Sequence, residues 1–174
     1  MSSERGFSLI ELLIVVTIII IIASMAIPNL LRARIAANEA SAAASIRTIN
    51  AAQLMYECAY PQIGYADALS KLGPGGEVCK LPSSDAGCMI DSALAGASTP
   101  GNAKSGYYFA ISADKPDNSR VLRYTAAASA SVFNKTGVRD FCSTEDNVIH
   151  FRIPSEQSTP EIAATECSSW LDLQ

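Results

Sequence analysis

Apolar and polar positions divide this chain unevenly. From Leu12 to Ile27 only Thr17 and Ser24 are polar, and the apolar run extends from Phe7 to Leu31, about the length that spans hydrocarbon, roughly 20 residues. Beyond Pro28 the stretch "NLLRARIAANEASAAASIRTINAAQLMYECAY" has no Gly or Pro before Pro61 and favours helix. Ile35, Ala42, Ile46, Ile49 and Tyr56 keep to one helical face at spacings of three, four or seven. The pair Tyr60-Pro61 ends the pattern, because a residue before proline resists the helical region. A helix from Phe7 to about Cys58 would be roughly 78 Å long. Pro28 cannot donate to the carbonyl of Ser24, which predicts a weak point that bends or locally unwinds.

After Pro61 the composition shifts to Gly, Ser, Pro and Asp. "GYADALSKLG" and "CMIDSALAGAS" each predict a short helix, the second ending near Gly96, with loop between them. "SGYYFAISA", "RVLRYTAAASASVF", "GVRDFC" and "NVIHFRI" predict strands rich in aromatic and β-branched residues. The turn-like segments "DKPDNS", "NKTG" and "STEDN" separate them, and such short connections favour an antiparallel meander. One apolar face of that sheet would cover the C-terminal half of the long helix. The fold class is therefore α+β: a long helix with an apolar protruding half and an amphipathic half packed against a roughly four-stranded antiparallel sheet.

Composition adds exclusions. With 174 residues and a net charge of −4 the chain has room for one domain plus an appendage, and no block of Lys or Arg forms a phosphate-binding stripe. Nucleic acid is not implied as a partner. The cysteines, at 58, 79, 88, 142 and 167, contain no C-x-x-C pair and accompany a single histidine, His150, so a zinc site is not expected. An apolar N-terminal segment that exports the rest makes disulfides the use for these thiols, with one cysteine left over. A bridge between Cys79 and Cys88 would staple the loop they bracket.

The apolar run contains one acid, Glu11. A cleaved secretory signal, with Ser24 and Ala26 at its end, fits poorly, since "MSSER" carries no net side-chain charge and Glu11 would lie in the apolar core. A plain membrane anchor has no need of a carboxylate that costs roughly 2.5 to 3.5 kcal/mol on insertion. A cut between Gly6 and Phe7 supplies the missing partner. The new α-amine of Phe7 then stands one helical turn before Glu11, and Glu11 of one subunit can receive the amine of a neighbour, setting register in a polymer.

"GFSLIELLIVV" resembles the type III signal of type IV prepilins and pseudopilins. The resemblance is strong over roughly residues 5 to 35 and loose in the head. It implies cleavage by prepilin peptidase after Gly6, N-methylation of Phe7, and a role for Glu11 in entering and registering in a filament. Pro28 falls where many such pilins carry a proline, and Cys142 and Cys167 are placed like the disulfide-bounded C-terminal region of many pilins; Cys58 is then left over, and spacing leaves other pairings of it open. Residues 1–6 would be leader, 7–31 the membrane and filament-core segment, 32–60 the amphipathic half of the same helix, and 61–174 the head. The partners implied are further copies of the chain, the inner membrane, prepilin peptidase, and the pilus assembly platform with its ATPase. The route implied runs from inner membrane to extracellular pilus.

No catalytic or cofactor constellation accompanies this signal. His150 lies in an alternating strand without a nucleophile motif, which predicts an exposed or half-buried structural histidine. Asp114, Asp117, Glu145 and Asp146 fall in turns, and their spacing is not that of an EF-hand loop. Asn134 begins an N-x-T triplet, for which a hairpin turn is the simpler reading. The expectation is a non-enzymatic structural subunit of a type IV pilus-like filament. The alternatives are a pseudopilin of a type II secretion system and an anchored binding domain that never polymerises.

Overall fold

An unbroken helix, α1 (Leu9–Ala59), occupies the first third of the chain. The computed structural model describes residues 8–76, 78–79, 81–115 and 120–173, and divides into two compact units, Met1–Arg34 and Ile35–Gln174. In the first unit the side chains from Leu9 to Leu31 are almost all exposed. In the second the same helix buries Ala42, Ala43, Ile46, Ile49, Ala52 and Tyr56. Ile35, expected on that buried face, is only half-buried. The helix runs through Pro28, so the missing hydrogen bond does not break it.

The sheet is an antiparallel meander in the order β1 (Tyr107–Asp114), β2 (Arg123–Ala130), β3 (Asp140–Thr144), β4 (Ile149–Arg152) and β5 (Leu171–Asp172). Sequence pattern predicts the first four strands. The fifth is too short to carry an alternation, and it exists because the chain end pairs Asp172 with His150 and Leu171 with Phe151. "GVRDFC" contributes only from Asp140 onward, and the strand continues to Thr144. The two expected helices shrink to single turns, α2 (Leu69–Leu72) and α3 (Ser92–Ala95). Asp91 caps α3 by accepting the Leu94 amide at 2.8 Å. A 3-10 turn (Pro100–Asn102) and α4 (Ala164–Cys167) complete the elements.

Alternation along the strands separates two layers. Phe109, Tyr124, Ala126, Ala128, Phe141 and Ile149 face the core shared with α1. On the opposite sheet face, Ala127 and Cys142 pack with Ile162 and Cys167, and half-buried Trp170 lies against them. This second layer is a C-terminal strap. It is fixed by the disulfide Cys142–Cys167 and by the Tyr108 hydroxyl donating to the Ser158 carbonyl at 2.8 Å. A second disulfide, Cys79–Cys88, closes the loop between α2 and α3, and Cys58 is a free, exposed thiol. Both pairings match the sequence reading.

Gly137 fits only because it has no side chain. A Cβ there would overlap the hydroxyl and ring of fully buried Tyr107, whose hydroxyl donates to the Arg139 carbonyl at 2.8 Å. Gly137→Ala is expected to cost about 1 to 3 kcal/mol, the range of core overpacking. Thermal unfolding of the detergent-solubilised chain, followed by near-ultraviolet dichroism, checks this; an unchanged midpoint would refute it.

Candidate assembly surface

The first unit presents a bare apolar helix. Sixteen large apolar side chains between Leu9 and Leu31 stand exposed, and the helix is long and apolar enough to cross a membrane. Its few polar side chains satisfy themselves internally. Thr17 donates to the Leu13 carbonyl at 2.7 Å, Ser24 to Ile21 at 2.8 Å and Asn29 to Met25 at 3.1 Å. Such back-bonding satisfies the hydroxyls of Thr17 and Ser24 and one N–H of Asn29 within the helix, which suits both lipid and a helix bundle.

Glu11 is exposed and lies in the first turn of α1, where the Ser8 carbonyl accepts from the amides of Glu11 at 3.1 Å and Leu12 at 3.3 Å. Ser8 and Glu11 have capping-box spacing, a second local signal at the start of the helix. A carboxylate in a first turn also complements the helix dipole. Gly6 and Phe7 lie outside the described residues. Pro28 is exposed within the helix, close to Arg32 and Arg34, which are exposed as well.

In the second unit, α1 is docked by polar side chains set into its buried face. Gln53 donates to the Ala66 carbonyl at 2.9 Å and accepts the Ala66 amide at 2.8 Å. Asn50 donates to Ser143 at 2.8 Å and accepts from the Tyr124 hydroxyl at 3.2 Å. Buried Glu39 accepts the amides of Val138 at 3.0 Å and Arg139 at 3.2 Å, and pairs with the Arg139 guanidinium. Helical spacing alone puts Asn50 and Gln53 on the apolar face with Ile46 and Ile49. That placement was the readable signal for their role.

The strap brings a second set of charges together. Asp140, almost wholly buried, accepts from the Ser158 hydroxyl at 2.6 Å and from Arg152 Nε at 3.3 Å. Burial pushes its carboxyl above the ordinary 3.8, although the Ser158 and Arg152 hydrogen bonds oppose the shift. Arg152 also holds Glu166 at 2.5 Å and lies 4.3 Å from the centre of the Trp170 ring. One arginine thus links β4, α4 and the strap.

None of this forms a reaction centre. His150 is buried rather than exposed or half-buried, with Nδ1 at 2.8 Å from Asp172 and Nε2 at 4.0 Å from Asp146; the short fifth strand covers it. Glu145 pairs with Arg123, and Asp146 accepts the Val148 amide at 2.9 Å. Asp114 pairs in register with Arg123 at the end of β1, and Asp117 lies outside the described residues. Among the described residues no group of His, Cys, Asp and Glu is placed to hold a metal ion. Asn134 sits at φ 61° in a turn braced by Thr136, whose hydroxyl accepts the Val132 amide at 3.1 Å.

Comparison with known proteins matches residues 1–27 to the prokaryotic N-terminal methylation motif. Over 57 residues the chain is 47% identical to the type IV wide pilus major component PilA4 of Thermus thermophilus, a match covering 33% of this chain and 44% of that protein. The match thus spans less than half of that relative's length. No solved structure matches. In its signal motif, its long apolar-headed helix and its antiparallel sheet, the chain is similar to type IV pilins.

Asp140 gives the head a signed pH dependence. Its folded value lies above its unfolded one, so its contribution is greatest below about 3.8 and is lost as pH rises through the folded value. The stability of Asp140→Asn relative to wild type is therefore expected to shift in the variant's favour as pH rises from below 3.8 to neutrality. Denaturant titrations of both proteins from acid to neutral pH check the slope; a difference that is constant with pH would refute it.

Proposed function

We propose that this protein is a structural subunit of a type IV pilus-like filament. Prepilin peptidase cuts it between Gly6 and Phe7, the new terminus is N-methylated, and the subunit waits in the inner membrane before its helix enters the filament core. The observation that carries this reading is the exposed apolar helix headed by Glu11, whose surface needs lipid or other helices around it. The methylation motif and the likeness to a major pilus component support it. In this reading residues 1–6 are leader, 7–31 serve storage and assembly in turn, 32–60 dock the head, and the head forms the outer surface.

Glu11 then acts by charge. In the bilayer its partner is the α-amine of Phe7, one turn away, and during assembly the amine of a neighbouring copy replaces it. Pro28 lowers the cost of local helix unwinding as copies pack. Work for assembly comes from a separate ATPase and its membrane platform, since no P-loop is present in the sequence. A pseudopilin of a type II secretion system is the second reading. The strap closed by Cys142–Cys167 favours the pilus.

Glu11→Ala as sole subunit is expected to leave processing intact and reduce sheared filament yield at least tenfold; normal yield would sink the registry role. That figure corresponds to about 1.4 kcal/mol of lost pairing. Replacing Gly6 with Val is expected to leave full-length precursor in the membrane. Mature-sized protein from this variant in an immunoblot would rule out the cut after Gly6.

A further inference from the structure

Charge along α1 is arranged in a way that filament registry leaves unexplained. Between Leu12 and Leu31 there is none; Glu11 stands at one end, and Arg32 and Arg34 at the other. Glu11 and Arg32 are separated by about 31 Å of helix, close to the hydrocarbon thickness of about 30 Å. Both arginines are exposed and, like Arg47, form no ion pair with any described residue, whereas Arg120, Arg123, Arg139 and Arg152 each hold a carboxylate.

The position of these arginines is also costly. Arg32, Arg34 and Arg47 follow the apolar run and Arg5 alone precedes it, a bias that by the positive-inside rule would keep the head in the cytoplasm. The two disulfides place the head in an oxidising compartment instead. Arg32 and Arg34 are therefore carried across the membrane against the usual preference. A function on the far side offsets that disadvantage.

We propose that Arg32 and Arg34 bind the phosphates of anionic lipid headgroups in the leaflet on the head's side. The pair fixes the depth of the stored subunit and holds Glu11 at the opposite boundary. Residues two apart lie about 200° apart around a helix, so the two arginines grip separate headgroups as a collar. Their apolar stems lie along the helix while the guanidinium forks reach phosphate oxygens with bidentate geometry. This inference rests on the membrane-storage part of the proposed function.

The test reconstitutes the purified full chain in phosphatidylcholine vesicles carrying trace spin-labelled phosphatidylglycerol or spin-labelled phosphatidylcholine. At low salt the anionic label is expected to associate with the wild-type chain about fivefold more than the neutral one. Arg32→Gln/Arg34→Gln should bring the ratio near one, and Arg47→Gln should leave it unchanged. Equal association of both labels with the wild type overturns the proposal, as does full selectivity in the double variant. If the double variant keeps its lipid selectivity and instead loses cross-linking to neighbouring copies, the arginines serve a second copy of the chain and the lipid site is refuted. Extraction of the wild-type chain by alkaline carbonate would remove the storage reading itself, and the proposal with it.

Discussion

An apolar helix surface that water cannot be allowed to keep governs this molecule. Sixteen large apolar side chains are exposed between Leu9 and Leu31. Even if each gains only about 1 kcal/mol on burial, half the usual side-chain value, the sum of roughly 16 kcal/mol exceeds the stability of a typical domain. A single Glu11, at a cost of roughly 2.5 to 3.5 kcal/mol on insertion, cannot reverse that balance. The surface therefore favours lipid or other helices over water, and in the proposed function the carboxylate decides how it is seated there.

The head meets the opposite requirement. It must hold its half of α1 firmly and still leave the first unit's surface unused. Small residues do the close packing: Ala42, Ala43 and Ala52 on the helix share a core with Ala126, Ala128 and Ala130 on β2. Directional hydrogen bonds from Glu39, Asn50 and Gln53 then pin the helix in one register, because each would leave a buried polar group unpaired if the helix slid. On the other sheet face the strap covers what would otherwise be an open layer, and burial keeps the hydroxyls of Tyr107 and Tyr124 in the core protonated well above their ordinary range.

Long, strongly patterned features were legible in the sequence, and features made by tertiary contact were not. The helix from Phe7 to Cys58 corresponds to Leu9–Ala59 over its described length, because absent Gly and repeated apolar spacing are local facts. Four strands were readable for the same reason; Cys79–Cys88 followed from the short loop the two cysteines bracket, and Cys142–Cys167 from the resemblance and not from spacing. The fifth strand, the burial of His150, the shortening of α2 and α3 to single turns and the presence of α4 depend on where distant chain segments come to rest. Asn50 and Gln53 show the boundary well: their place on the apolar face was visible, but the Ser143 and Ala66 partners that make it favourable were not. For the candidate surface, apolar length and Glu11 could be read directly, whereas the self-satisfied Thr17, Ser24 and Asn29 needed coordinates.

The central claim is that this helix begins at a processed Phe7 and lives in a filament. Intact-mass measurement and N-terminal sequencing of the protein from sheared extracellular material, set beside the membrane fraction, test it most directly. The account predicts abundant chains beginning at N-methylated Phe7 in the sheared material. Chains starting at Ile27, or full-length chains confined to the envelope, would contradict it.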